Sequence, residues 1–184
     1  SLMLLAADLF PHDSSYPGQA HGANGPCLVS MRMDRYEIPA GTALFEPGQT
    51  ITFDRSPASL AYLGEGWHEP DDDGVLSSEV SAQVKGIFFA RGRPVFLTAI
   101  VFQPVVDGAF AEQVLTIRCS GHVIARYLLG ERAEITAIVP SGLVPDTGIL
   151  EIDFETSVIA SPRDLGASDD GRSYGFGLKS IVLD

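Results

Sequence analysis

The sequence predicts an all-β domain, a two-layer antiparallel sandwich with a jelly roll preferred over an immunoglobulin-like arrangement. Three observations predict it. Apolar residues recur with a period of two over much of the chain, turn signals follow one another about every 8–12 residues, and no window of a dozen residues keeps an apolar 3.6-residue period. A βαβ rhythm is absent too, which sets aside a doubly wound fold.

The elements follow in chain order. Residues 1–41 read as an N-terminal arm or extended lead-in. Leu2 to Phe10 has room for a short helical turn that Pro11 would stop, and residues 11–26 are rich in Pro and Gly. The sandwich is expected over residues 42–184. Ala43 to Phe53 reads as strand, turn and strand around Glu46-Pro47-Gly48. Val80, Ala82, Val84 and Phe88 alternate with Ser81, Gln83 and Lys85, giving one buried and one wet face. Arg91-Gly92-Arg93 then turns the chain into Pro94 to Phe102, an almost continuous apolar run of the kind found in the middle of a sheet. Val114 to Cys119 and His122 to Leu128 flank Ser120-Gly121, a two-residue hairpin signal. Arg132 to Val139 is a further strand, closed by Pro140-Ser141-Gly142. Leu150, Ile152 and Phe154 alternate with Glu151, Asp153 and Glu155, and the last strand is expected from Tyr174 to Leu183.

Composition narrows the function classes. With 45% apolar and 20% charged residues, a chain of 184 residues can build a core without disulfide staples. Its formal net charge of -12 repels phosphate backbones and anionic headgroups, so neither nucleic acid nor membrane insertion is expected. The longest apolar run is far too short to cross a bilayer, and the N-terminal stretch lacks the basic region of a secretory signal, so a cytoplasmic location is the expectation. Cys27 and Cys119 lie far apart and form no CxxC pair. Buried thiols or a disulfide between the two both fit that spacing, whereas a zinc site does not.

Two loops carry candidate chemistry. The first runs Gly64-Glu65-Gly66-Trp67-His68-Glu69-Pro70 into Asp71, Asp72 and Asp73. Aromatic faces stack on the apolar C–H face of sugars and carboxylates accept from sugar hydroxyls, so Trp67 with Glu69 fits a glycan contact. Because large aromatics are mostly buried, a plug for one end of the sandwich is the preferred reading of Trp67. The aspartate run lacks the alternating ligand spacing of a calcium loop, and no metal or other cofactor is assigned. The second loop runs from Ser161-Pro162 to Leu178. There Asp169 or Asp170 is placed to pair with Arg172, and Gly175 and Gly177 leave room for a close neighbour. HExxH, GxSxG and Walker A patterns are missing, and no acid is singled out by its surroundings, so no catalytic residue is assigned.

Taken together, Phe45 to Phe53, Gly66-Trp67-His68-Glu69-Pro70 and the series Ser161-Pro162, Asp169, Arg172 and Gly175 to Leu178 resemble a β-sandwich domain similar to carbohydrate-binding modules, found in bacterial glycosyltransferases and surface-polysaccharide biosynthesis proteins. The resemblance covers roughly residues 42–184 and rests on short motifs. Gly74-Val75 stand where that domain carries a second tryptophan. It implies a non-catalytic accessory module in a polysaccharide context, with a glycan as ligand and Trp67, Glu69, Tyr62, Tyr174, Asp169 and Arg172 as the contacts to watch. A structural or docking domain, partnered by a catalytic domain or by a second copy, is the alternative. A carbohydrate-active hydrolase or lyase with paired carboxylates is the third reading.

Overall fold

The computed structural model describes residues 43–89, 92–104 and 113–184. Cys27 and the expected arm over residues 1–41 lie outside them, as does Arg91 of the expected turn.

Nine strands are formed among the described residues, arranged in two antiparallel sheets: β1 (Thr50–Thr52), β2 (Val75–Leu76), β3 (Ser81–Ile87), β4 (Val95–Phe102), β5 (Val114–Cys119), β6 (His122–Leu128), β7 (Arg132–Val139), β8 (Ile149–Thr156) and β9 (Gly177–Leu183). One sheet has the order β1-β9-β4-β7, with β2 also on β9, and the other has the order β3-β8-β5-β6. From β3 onward the chain crosses between the sheets after nearly every strand, the β5–β6 hairpin being the exception. This is the strand order of a jelly roll, and it sets aside the immunoglobulin-like alternative.

The core lies between the sheets and is built by alternation. Leu150, Ile152 and Phe154 of β8 are fully buried, as are Leu115, Ile117 and Cys119 of β5, while Glu151, Asp153 and Glu155 point outward. Each buried Leu, Ile or Phe contributes about 1.5–3 kcal/mol by leaving water. On the wet face Arg118 pairs with Glu155 at 2.8 Å, and the Gln83 amide donates to Asp153 Oδ1 at 3.1 Å, so the acidic row of β8 is flanked by donors from both neighbouring strands. The Cys119 thiol is free, and burial raises its pKa.

The Ser120-Gly121 hairpin forms as the sequence predicts. Both residues take positive φ (49° and 76°), as a two-residue turn matching the twist of its strands requires. At Glu46-Pro47-Gly48 the Gln49 N–H donates to the Glu46 carbonyl, closing the other predicted turn.

Four expectations are corrected. Val80 is 52% exposed, because the ladder starts at Ser81 and the pleat has not begun at Val80. β4 is central in its sheet, but only one face is buried; Phe96 is 53% exposed on the outer face, where it pairs with Ile138 of β7. Its continuous apolar run therefore does not mean burial on both sides. The last strand begins at Gly177, since Tyr174 pairs with Ala160 in an isolated bridge that belongs to the preceding loop. A one-turn helix, α1 (Pro57–Leu60), also appears where no element is expected, with Pro57 in its first turn, a position whose N–H needs no partner.

Candidate functional site

The Trp67 loop is drawn against the edge of β3 by backbone bonds. The Gly64 N–H donates to the Gln83 carbonyl and the Gln83 N–H to the Glu65 carbonyl. Gly66 makes this approach possible. Its φ is +85°, and a Cβ there would lie 2.1 Å from the Ser81 carbonyl oxygen, so no other residue fits. The indole is consequently part of the sandwich rim. Trp67 Nε1 donates to the Gln83 carbonyl at 2.7 Å, and the ring meets Phe176 edge-on at 5.4 Å. Trp67 is half-buried and pinned, closer to the plug that the sequence allows than to a free stacking platform.

The next two residues diverge. His68 turns inward, its Nε2 2.7 Å from the Ser173 carbonyl and its ring 5.0 Å from Tyr174. A carbonyl only accepts, so Nε2 carries the proton. Glu69 turns outward and is exposed, and its carboxylate has no intramolecular partner among the described residues. Asp71 Oδ1 accepts from the N–H groups of Asp73 (2.8 Å) and Gly74 (3.1 Å), so one of its oxygens is committed to the local turn. Asp72 meets Arg55 at 3.6 Å in an exposed pair of little energetic weight. No three Asp, Glu, His or Cys side chains converge as metal ligands among the described residues.

The second loop is held by its own polar groups. Ser161 Oγ donates to Asp164 at 2.6 Å, and the Arg163 guanidinium donates to the Asp169 carbonyl at 2.6 and 3.1 Å. Of the two acids expected to meet Arg172, Asp170 does so. Arg172 Nε and Nη2 donate to its carboxylate at 2.8–3.2 Å, the Arg172 N–H adds a bond at 3.0 Å, and the Tyr174 hydroxyl adds one at 2.7 Å. These donors, the Arg172 side chain foremost, hold the Asp170 pKa well below the ordinary carboxylate range. The guanidinium also lies 5.5 Å from the centre of the Tyr174 ring. Burial, and then the bond to Asp170, raise the Tyr174 pKa.

Between the two loops lies a cleft of about 500 Å³ lined by Arg55, Leu60, Glu69, Pro70, Asp71 and Arg172. Of the residues expected as ligand contacts, Glu69 and Arg172 line it together, and Tyr174 supports Arg172 from behind. Trp67 is not part of its lining. Asp169 contributes its carbonyl to the loop. Tyr62 lies elsewhere, against Phe45 at 4.8 Å, with its hydroxyl donating to the Leu44 carbonyl. Arg55 and Leu60 were not expected. Only the Ser56-Pro57 helix start could have drawn attention to their segment. Where a second tryptophan is missing, Val75 is fully buried in β2, and a Cβ on Gly74 would lie 2.7 Å from the Leu178 carbonyl oxygen. The backbone there leaves no place for an exposed aromatic ring.

No family model matches the chain, and no curated protein matches it. Among solved structures it is similar to the CBM36-1 domain of a multidomain xylanase from the hindgut metagenome of Trinervitermes trinervoides. That likeness has a TM-score of 0.42 and 11% identity, over 74% of this chain and 95% of the other. It is also similar to a carbohydrate-binding module CBM36 in complex with calcium and xylotriose (TM-score 0.39, 13% identity, 66% of this chain and 92% of the other). A third is the EclA C-terminal domain, a sugar-binding protein (TM-score 0.35, 13% identity, 79% and 86%). At these scores the likenesses assign no residue of this chain a role.

Proposed function

We propose that this domain is a non-catalytic glycan-binding module of a bacterial polysaccharide-biosynthesis or glycosyltransferase system, working in the cytoplasm beside a catalytic domain, and that the cleft between Glu69 and Arg172 is its binding site. The observation that carries this reading is a cleft lined by both a carboxylate, Glu69, and a guanidinium, Arg172, together with the apolar Leu60 and Pro70. Sugar hydroxyls donate to Glu69 and accept from Arg172, while the C–H face of the ring lies on the apolar residues. Asp170 already immobilises Arg172, so little side-chain entropy remains to be lost on binding. The polysaccharide context comes from the sequence motifs of the two loops.

Titration with a panel of bacterial polysaccharides and simple sugars tests this, read by Trp67 fluorescence and by amide NMR shifts. Saturable binding is expected, weakened about tenfold or more in Glu69→Ala, the effect of losing roughly 1.4 kcal/mol of a charge-assisted hydrogen bond. Binding that ignores Glu69→Ala and Arg172→Ala would remove the site, and no response to any sugar would remove the function.

A docking or oligomerisation role is the second reading. It is favoured by Phe89 (60% exposed), Phe96 and Ile138 (both 53%), beside a cleft of about 270 Å³ that Phe89 and Phe96 line with Pro47, Phe88, Arg93, Pro94 and Asp184.

A further inference from the structure

Gln113, just before β5, is fully buried yet polar. Its Nε2 donates to Thr156 Oγ1 at 2.7 Å and to the Gly175 carbonyl at 2.5 Å, with the Val158 carbonyl at 3.4 Å. Thr156 ends β8, and Gly175 lies two residues before β9. One side chain therefore grips both stems of the connection that carries Asp170, Arg172 and Tyr174.

The grip continues to the other loop. The Gly175 N–H donates to the Ser77 carbonyl at 3.2 Å, the Phe176 N–H to Ser77 Oγ at 3.0 Å, and the Ser77 N–H to the Phe176 carbonyl at 2.8 Å. Ser77 is bridged to Trp67, and the His68 N–H donates to the Leu76 carbonyl at 2.8 Å, next to Glu69. Both walls of the cleft are thus rooted in one buried polar cluster: Gln113, Thr156, Gly175 and Ser77.

We propose that Gln113 is a positioning residue that fixes the spacing of Glu69 and Arg172; the inference rests on the glycan-binding reading of their cleft. The chemistry of the position requires a donor. Two carbonyl oxygens and one hydroxyl oxygen surround Nε2, so the amide is oriented by them, and a carboxylate there would face the two carbonyls without a hydrogen to give them. Filling the volume is not enough, because an apolar side chain would leave the Gly175 and Val158 carbonyls without this donor. The cluster is also tight from the far side. A Cβ on Gly175 would lie 2.5 Å from Ser77 Oγ and 2.7 Å from Thr156 Cγ2, so Gly175→Ala would wedge the two loops apart while leaving every donor in place.

Two variants test this, each with a readout that needs no ligand. Gln113→Met keeps the side-chain length and removes the donor, and Gly175→Ala forces the cluster open. Amide hydrogen exchange at His68, Ser77, Gly175 and Phe176 is expected to accelerate at least tenfold in both, while amides of the β3–β8 ladder such as Val84 and Ile152 keep their protection. Glycan affinity is expected to fall about tenfold, whereas Val139→Ala, a core truncation in β7, leaves affinity unchanged after comparable destabilisation. Unchanged exchange at His68 and Gly175, or an affinity loss no larger than that of Val139→Ala, overturns the proposal. Should Gln113→Met fail to fold, Gly175→Ala carries both measurements. If the parent domain binds no glycan, the reading of the cleft falls, and the exchange data alone decide whether Gln113 couples the loops.

Discussion

The two ends of the sandwich are made by different physics. At the end where Phe102 pairs with Gly177, loops are fastened by directional polar bonds: Trp67 to Gln83, His68 to Ser173, Arg172 and Tyr174 to Asp170, and Gln113 beneath them. At the end where β4 begins, Phe89, Phe96 and Ile138 are each more than half exposed, and the bonds around them are backbone ones such as the reciprocal pair between Phe96 and Asp184. Hydrogen bonds fix distance and angle, so the first end can hold defined polar groups on the lining of one cleft, Glu69 and Arg172 among them. Apolar contact is non-directional, so the second end can cover area but cannot define a polar geometry. On the proposed reading, small-ligand recognition belongs to the polar end and any protein contact to the apolar one.

Truncating the support of the polar end should have the largest effect. Phe176 is fully buried between Trp67 (5.4 Å) and Phe154 (5.9 Å), and Phe176→Ala is expected to cost about 3–5 kcal/mol in urea unfolding. A cost below about 1 kcal/mol would mean that Trp67 rests on the rim without depending on the core. Tyr174→Phe removes one donor from Asp170 and should cost about 1 kcal/mol, with a matching change in the His68 ring signals by NMR. Full stability in that variant would shift the weight of the loop to Arg172 alone.

Acid should open the same end selectively. The folded-state pKa of Asp170 is depressed, chiefly by Arg172, so its contribution is complete above the unfolded carboxylate value, about 3.9, and is lost as pH falls through the folded value. NMR signals of Arg172 and Tyr174 should hold steady from pH 7 to well below the ordinary carboxylate range and move only as pH falls through the folded value, and Asp170→Asn should abolish that step. A transition already complete at pH 5 would assign it to another group. The smallest effect belongs to the apolar end. Phe96→Ser should change stability by no more than about 0.5 kcal/mol, because the ring is half in water. Its consequence should appear in sedimentation as weaker association, and identical behaviour of parent and variant would remove the docking reading.

How much was legible depended on whether a residue's role was local. The β5–β6 hairpin was readable because two adjacent residues decide it, and β8 because its alternation is self-contained. Val80 and Phe96 were misjudged because apolar character says nothing about where a ladder starts or which face a neighbouring sheet covers. The acid that meets Arg172 stayed open between Asp169 and Asp170, since the two differ only in which way the loop turns them. Arg55 and Leu60 reach the cleft from a separate segment, and beyond the Ser56-Pro57 helix start nothing in their own neighbourhood marks them.

By itself the sequence determined the layer type, the Glu46-Pro47-Gly48 and Ser120-Gly121 turns and most strand bounds, because periodicity and turn chemistry act over a few residues. It also placed Glu69 and Arg172 among the residues to watch. Only the tertiary structure decided that these two share a cleft, that Trp67 is pinned to Gln83, and that Gln113 bonds both stems of the second loop. Those outcomes depend on which strands lie side by side, and the pairing of β9 with β2 and β4 joins segments far apart in sequence, such as Val75 with Leu178 and Phe102 with Gly177, beyond the reach of any local pattern.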